Sequence, residues 1–471
     1  MDGASSWARV ALDGAAPRVF WSDVADAPEP SPSLRGETTA DLVVIGAGFT
    51  GLWAAIQAAE EQPGRRIVVL EAETIGFGAS ARNGGFCAAS LTHGLLNGLS
   101  HWPDEISTLE RLGRENLDGI EDTLVRHGGV EAADFCRVPA LDVATAVWQQ
   151  DELAEDVAVF ARHGHDVELL DSAGVRALVD SPAYVGGLLR RSGNALVDPA
   201  RLGWALASIA RSLGVVIHEH SPVADVDADG AQLVVRAPAG TVRADRVVMA
   251  TNAYPGPLRR PRRYVVPVYD HVLMTEPLSR DQLASIGWSG REGVGDAANQ
   301  FHYYRLSADD RILWGGYDAT YHFNNAMGPR FDQSDETHGM LAEHFFTTFP
   351  QLEGLRFTHR WGGPIATSTR FCATWGTAHD GRLAWVSGYT GLGVGASRFG
   401  ARVALDLVDG LDTERTELEM VRTKPFPFPP EPARWIGVQL TRKAIQRADD
   451  NEGRRGPWLR VLDRFGVGFD S

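Results

Sequence analysis

Residues 40–73, ADLVVIGAGFTGLWAAIQAAEEQPGRRIVVLEAE, constrain the fold more than any other stretch of the chain. Leu42 to Ile45 is an unbroken apolar run, as expected of a parallel strand covered on both faces. Thr50 to Glu61 reads as a helix, QPGR ends it, and Ile67 to Leu70 reads as the next strand. The unit is βαβ, with a right-handed crossover. Gly46, Gly48 and Gly51 make a GxGxxG between strand and helix. The first glycine allows the tight turn, the second lets a pyrophosphate approach, and the third brings helix and strand together. The amides of Ala47, Phe49 and Thr50 then open the helix where its dipole is positive. Glu71 ends the second strand, where a carboxylate accepts hydrogen bonds from a ribose diol and repels a 2′-phosphate. Strand, glycines, helix, strand and acid in register point to a dinucleotide site that disfavours NADP.

The residues after Glu71 separate FAD from NAD. An NAD domain continues into another helix and strand, but here the chain runs into TIGFGASARNGGF. An isoalloxazine is a broad plane that must lie against backbone. Gly78, Ala79, Ser80, Gly84 and Gly85 remove the side-chain bulk that would block it, and Arg82 and Asn83 can serve the pyrophosphate or the polar edge of the ring. The flavin reading is therefore preferred over a flexible surface loop.

The rest of the chain alternates between two textures. In LVDPARLGWALASIARSLGVVIHEH, Asp198 caps a helix, Pro199 suits its first turn, Gly214 stops it and Val215 to Glu219 reads as a strand. Three short alternating strands come next, with turns at DADG and PAG, and then an apolar strand, Val247 to Ala250. A three-stranded meander laid over a parallel sheet is expected. Residues 100–195 carry amphipathic helix patterns, and 262–320 carry aromatic, antiparallel-looking strands. The expected class is α/β with an α+β second domain: a Rossmann-like FAD-binding domain with a β-meander, plus a discontinuous antiparallel-sheet substrate domain. The first is assigned residues 38–100, 196–260 and 360–410, and the second 101–195 and 261–359. An N-terminal arm (1–37) and a C-terminal extension (411–471) complete the chain. The extension is expected to dock on its own domain through Trp435, Ile436 and Leu440.

A net charge of −16 argues against a nucleic-acid partner and suits a cationic or neutral small substrate. The N-terminus lacks the pattern of a secretory signal, and no apolar run is long enough to span a membrane. Cys87, Cys136 and Cys372 are far apart and form no CxxC, which argues against a disulfide framework or metal site and fits a cytoplasmic setting.

GxGxxG, the terminal Glu71, GASARNGG, ATNAYPG and GYTGLGVG, in this order, resemble the D-amino acid oxidase superfamily of FAD enzymes, nearest the branch of gamma-glutamylputrescine, glycine and monomeric sarcosine oxidases. The likeness covers nearly everything from Ala40 to Gly410. It implies a two-domain flavoprotein that oxidises a C–N bond, with Gly46, Gly48, Gly51 and Glu71 on the ADP half. It implies Ser80, Arg82, Asn83 and Gly85 near pyrophosphate and ring, and Val223 at adenine. It also implies that the turn carrying Thr251 and Asn252 passes close to the dinucleotide. Read from the residues alone, GYTGLGVG is a glycine turn, Gly388, Tyr389 and Gly391, that opens a helix at Leu392, Gly393 and Val394. Its free amides and dipole would stabilise negative charge on a reduced flavin.

Amine oxidation by flavin needs aromatic walls and a few oriented polar groups rather than a catalytic triad. The candidates are Tyr269, His271, Tyr303, Arg305, Trp361 and Tyr389, with His302 and Tyr304 also near. On a strand, Tyr303 and Arg305 share one face and His302 and Tyr304 the other. The Tyr303–Arg305 face is preferred, because an arginine binds a substrate carboxylate bidentately. Two departures from the family pattern bear on acceptor and linkage. The lysine that activates oxygen in monomeric sarcosine oxidase has no match in Lys424 or Lys443, so another cation assists oxygen or the electrons go elsewhere. Cys372 lies too close to GYTG for the family's flavin-linking cysteine, so FAD is expected to be held non-covalently. The expected activity is oxidation of an amine or amino acid to an imine with H2O2 as product, O2 as electron acceptor, no membrane partner, and a quaternary state compatible with a homodimer. An NADH-dependent flavin monooxygenase or reductase, or a flavin-bearing subunit of a dehydrogenase complex, are the alternatives.

Overall fold

The computed structural model describes residues 6–464. Among these, one eight-stranded sheet carries the glycine fingerprint. Its order is Asp225–Asp229, Gln232–Ala237, Gly240–Met249, Gly36–Ile45, Ile67–Leu70 and Val216–His218, with Leu383–Ser387 joined to Gly240–Met249 and Thr374–Ala378 beyond it. Gly36–Ile45 runs parallel to both of its neighbours. The meander packs over the face of this sheet that turns away from the Phe49–Glu61 helix, with Val226, Leu233 and Val235 in one core cluster with Val43, Ile45, Val68 and Leu70. Its third strand and the apolar strand that ends at Met249 are one ten-residue strand, which forks. Residues 241–244 pair antiparallel with 233–236 of the meander, whereas 247–249 pair in parallel with 383–385. The turn after Met249 thus comes to lie beside the turn after Ser387.

Helix Phe49–Glu61 is buried over nearly its whole length, because helices Pro199–Ser212 and Gly393–Val408 pack against it as well as the sheet. Burial on every side explains its run of Ala, Leu, Trp and Ile without a polar stripe. Helix Ile106–Arg126, which falls in the 101–195 segment, sends Leu109, Leu117, Ile120 and Leu124 into this same core.

The second, nine-stranded sheet has the order Thr320–Tyr321, Val265–Thr275, Ile312–Gly316, His302–Leu306, Gly293–Asp296, Ala140–Ala144, Gly186–Arg190 and Val167–Asp171. It is antiparallel except where Gly293–Asp296 runs parallel to Ala140–Ala144. Strand Phe357–Ser368 pairs with Val265–Thr275 from end to end and so runs through the residue-360 boundary drawn from the sequence. Helix Asp335–Thr348 covers one face and drives Phe345, Phe346 and Leu341 into an aromatic core with Trp314, Phe349 and Phe357.

The N-terminal arm is part of this architecture. Ala8 and Ala11 of helix Ser6–Leu12 enter the core of the second sheet, and Trp21 is 2% exposed with its indole N–H donated to the Asn83 carbonyl at 2.9 Å. The tail docks, but not through the residues expected. In helix Ala433–Asp449, Trp435, Ile436 and Leu440 are 40–48% exposed. The docking contacts are polar: Asp449 accepts from the Asn299 and Gln300 amides at 3.0 and 2.9 Å, Arg442 pairs with Asp318, and Tyr321 donates to Glu431 at 2.6 Å. The hydrophobic pattern alone hid this, because the partner surface offers carboxylates and amides rather than an apolar groove. No helix of the described residues is long and apolar enough to cross a membrane.

Phe345 is fully buried and contacts four other rings, three of them edge-on. Phe345→Ala should cost about 3–5 kcal/mol of stability, read as a lower midpoint of urea unfolding monitored by tryptophan fluorescence.

Candidate active site

A cavity of about 1550 Å³ opens along the carboxyl ends of the first sheet's parallel strands and continues beneath the second sheet. Such crevices are where open α/β sheets bind their ligands. At its first end, Gly46 has φ of +103°, and a Cβ there would press on the Ala250 carbonyl at 2.9 Å. A side chain on Gly51 would overlap the Gly46 carbonyl. Both positions are therefore closed to other residues by the turn itself. Ser80 Oγ accepts from the Phe49 amide at 3.0 Å and fills the space beside Gly48. The Glu71 carboxylate accepts from the amides of Ala47 at 2.6 Å and Glu73 at 2.9 Å. Burial pushes its pKa up, and these donors pull it back.

Most residues singled out from the sequence line the cavity: Gly46, Gly48, Phe49, Thr50, Glu71, Ala79, Ser80, Arg82, Asn83, Gly84, Val223, Thr251, Asn252, Tyr389, Gly391, Leu392, Gly393 and Val394. Ala47, Gly51, Gly85 and Gly388 stand behind this wall and shape it. Asn252 Oδ1 accepts from the Gly388 amide at 3.0 Å, tying together the two turns that the forked strand brings side by side. Tyr389 Oη accepts from Thr50 Oγ1 at 3.0 Å, so the two helix-opening turns are also joined.

The loop from Gly78 to Phe86 is held from several sides. Asn83 Nδ2 donates to the carbonyls of Ala79 and Ser80, and its Oδ1 accepts from Gly85 N. Asn83 is thus an internal brace of the loop rather than a free ligand group. Arg82 reaches across to Asp332 at 2.8 Å and to the Gly362 carbonyl at 3.1 Å. A Cβ on Gly84 would meet the Tyr303 ring at 2.7 Å.

Three of the pocket candidates prove to be structural. Arg305 is 2% exposed and does not line the cavity; it donates to the Val197 carbonyl at 2.6 Å, directly under Gly85, and lies over the Trp21 ring. Burial draws its pKa down to about 10. It therefore does not present a fork to a substrate carboxylate. His271 points into a cluster with His338 and the Phe331 carbonyl, where burial lowers its pKa. Trp361 is buried and donates its indole N–H to the Arg82 carbonyl at 2.8 Å. Tyr303, Tyr269 and Tyr389 do reach the cavity. His302 and Tyr304 face the opposite core, where His302 lies between Asp296 at 2.6 Å and His344 at 2.9 Å.

Two cavity residues escaped the sequence reading. Asp270 accepts from Tyr303 Oη at 2.6 Å and from the His271 amide at 2.8 Å. Burial pushes its carboxyl up to about 6. The alternation of Val265–Thr275 carried the signal, since Val266, Val268, Asp270 and Val272 all reach the cavity and only one of them is an acid. His93, beside the Thr390 turn, is kept neutral by burial at about 4, with Nδ1 lacking a hydrogen-bond partner among the described residues. No cysteine lines the cavity: Cys87 and Cys372 are buried, with thiols pushed up to about 12 and 11, and Cys136 is exposed elsewhere.

With this geometry established, residues 41–407 match the family model described as DAO, FAD dependent oxidoreductase. The chain belongs to this family of FAD-dependent oxidoreductases. It is 32% identical over 409 residues to gamma-glutamylputrescine oxidoreductase of Escherichia coli K12, covering 85% of this chain and 90% of that protein. It is 30% identical over 401 residues to the probable oxidoreductase OrdL of Haemophilus influenzae, covering 82% and 86%. Among solved structures, glycine oxidase from Geobacillus kaustophilus superposes with a TM-score of 0.65 at 21% identity, over 80% of this chain and 96% of that one. The family's cofactor is FAD, and the glycine cradle, the Glu71 carboxylate at the strand end and the cleared loop fit it.

These contacts can be tested at two carboxyls. Glu71→Gln replaces an acceptor of two backbone amides with a group that has one acceptor oxygen; FAD affinity should fall at least tenfold, measured by ultrafiltration of the holoenzyme. Asp198, beneath the loop near Arg305, is pushed up to about 6, chiefly by burial. The folded state then holds a proton that the unfolded chain releases near the ordinary Asp value of about 4, so this stabilisation is present below about pH 4 and lost as pH rises through about 6. Relative to Asp198→Asn, which keeps the helix cap, the wild type should lose thermal stability between about pH 4 and 7.

Proposed function

We propose that the protein oxidises the C–N bond of an amine or amino acid. The carrying observation is the cavity beyond the cleared loop. Tyr303, Tyr269 and Tyr389 supply aromatic wall, Asp270 turns a carboxyl towards it, and Arg82, the cation of the adjoining loop, is already paired with Asp332. This favours an amine whose recognised group is the nitrogen. The named activities of the relatives, on gamma-glutamylputrescine and on glycine, support the same chemical class.

Glu71 and Val223 would hold the adenosine of FAD, the amides of Gly46 to Thr50 with Ser80 its pyrophosphate, and the Gly84 backbone with the Gly391–Val394 turn its ring. Bound there, FAD would supply the two-electron acceptor for oxidation of the substrate's C–N unit, with O2 as final acceptor and H2O2 as product. The chain's own residues orient the α-carbon against the loop, exclude bulk water with the tyrosines, and offer the turn at Gly393 to negative charge. The resulting imine hydrolyses, so that for a primary amine one amine, one O2 and one water give one aldehyde, one ammonia and one H2O2.

The experiment is anaerobic mixing of the yellow holoenzyme with a panel of primary, secondary and polyamines, then admission of air. Bleaching at about 450 nm by a subset of amines, with recovery in air and stoichiometric H2O2, is the expected outcome. Bleaching by NADH in the absence of amine would instead identify a reductase or monooxygenase.

A further inference from the structure

The strand Val265–Thr275 places a single acid against the cavity, and that acid has no ion pair among the described residues. Asp270 Oδ2 accepts from Tyr303 Oη at 2.6 Å, and Oδ1 accepts from the His271 amide at 2.8 Å. The Gly316 amide is a third donor to the carboxyl, so one of its four acceptor sites remains. Tyr303 in turn lies edge-on to Phe86 and against Gly84, so the carboxyl is one ring away from the loop that receives the flavin. The nearest cation of that loop, Arg82, is already held by Asp332 and the Gly362 carbonyl. A carboxyl given donors but no counter-cation, inside a cavity built for an amine, is short of one positive partner.

We propose that Asp270 binds the substrate as its ammonium form and takes one proton from it, with Tyr303 fixing the orientation of the carboxylate. This rests on the amine reading above. The step is R–NH3⁺ plus carboxylate giving R–NH2 plus carboxylic acid: one N–H bond breaks, one O–H bond forms, and no electrons move. Its product is the neutral amine, whose lone pair must be free before the α-hydrogen can leave with its electron pair. Burial raises the Asp270 carboxyl to about 6, which leaves it ionised at neutral pH and a stronger base than an ordinary aspartate. The groups that bear on it are Tyr303 from strand His302–Leu306, the Gly316 amide and Asp318 from the end of Ile312–Gly316, and its own neighbour His271. Opposite Asp270 on strand Phe357–Ser368 stands Gly363, against which the Arg82 side chain packs. Of these only Arg82 is a fixed cation, and its charge is spent on Asp332.

The probe is tert-butylammonium, which has no α-hydrogen and cannot turn over. Its binding to the oxidised holoenzyme is monitored by the flavin difference spectrum and by calorimetry. For the wild type, Kd should rise about tenfold per pH unit below about pH 6. Asp270→Asn should bind about 10–100-fold more weakly at pH 7 and lose that dependence. Tyr303→Phe keeps the carboxylate but removes a donor that stabilises its ionised form, so its acid limb should move to higher pH. Retained flavin content and thermal midpoint verify the fold of each variant, and Tyr303→Phe carries the test alone if Asp270→Asn does not fold. Wild-type affinity and pH dependence in Asp270→Asn, an unmoved acid limb in Tyr303→Phe, or no binding of the probe to the wild type, would each overturn the proposal. If no amine reduces the flavin while Asp270-dependent binding persists, the amine-oxidation reading falls and ammonium recognition stands. If Asp270→Asn turns over an amine with the wild-type pH profile, amine oxidation stands and the role given to Asp270 falls.

Discussion

The close approach of the Gly78–Phe86 loop to its surroundings is the constraint on which the rest of the architecture turns. The loop leaves the first sheet after Glu71 and is gripped by elements from everywhere else in the chain. Trp21 of the arm bonds the Asn83 carbonyl, and Trp361 of the second sheet bonds that of Arg82. Tyr303 lies on Gly84, and Arg305 stands under Gly85 through the Val197 carbonyl. Two buried indoles donating to consecutive carbonyls leave the loop little freedom, since a shift would strand their N–H groups in an apolar core. Small residues here serve approach from both faces. The cavity opens against one side, and the second sheet's side chains come up to contact on the other.

This arrangement also accounts for how charge is distributed. Arg82, Arg305 and Asp270 all lie close to the loop, yet each has a different fate. Arg82 is neutralised across the two sheets by Asp332, and Arg305 is spent on a carbonyl and on the Trp21 face. Asp270 alone is left with hydrogen-bond donors and an open side towards the cavity. A buried guanidinium is tolerable where a carbonyl and an aromatic face replace its water, and that requirement placed Arg305 behind the loop rather than in front of it.

The parts of the fold legible in the sequence were those written in local pattern. The fingerprint, the acid after it, the Asp198 cap and the glycine turn at Gly388 to Gly393 are short-range signals with one steric or electrostatic cause each. Strand alternation was also legible: Tyr303 and Arg305 do share a face, and it is the face turned to the loop. Alternation cannot give depth, however, and the two residues end at different levels of the same wall, one in the cavity and one beneath it. The same blindness favoured Tyr269 and His271 over the acid between them, because aromatic residues attract a reading for pocket walls more readily than an isolated aspartate. The tail misled for a related reason. Trp435, Ile436 and Leu440 look like a docking face, but Asp318 and the backbone at Asn299 and Gln300 make the partner surface polar, and only long-range pairing reveals that.

The forked strand Gly240–Met249 has a consequence for where this chain tolerates length changes. Its first half is committed to the meander and its second to Leu383–Ser387, so a single rigid ruler spans both. An insertion at the meander tip around Gly230 or at Ala239 alters an exposed bend and one hydrogen bond, from Arg382 or from the Gly36 amide. One residue added between Ala244 and Met249 would displace the next turn by about 3.3 Å and reverse the facing of every side chain beyond it. Asn252 would then miss the Gly388 amide, and the junction of the two turns would open at the point where they frame the cavity. The hairpin ends are thus the places where a change of length disturbs least, while the interior of that strand acts as a fixed gauge.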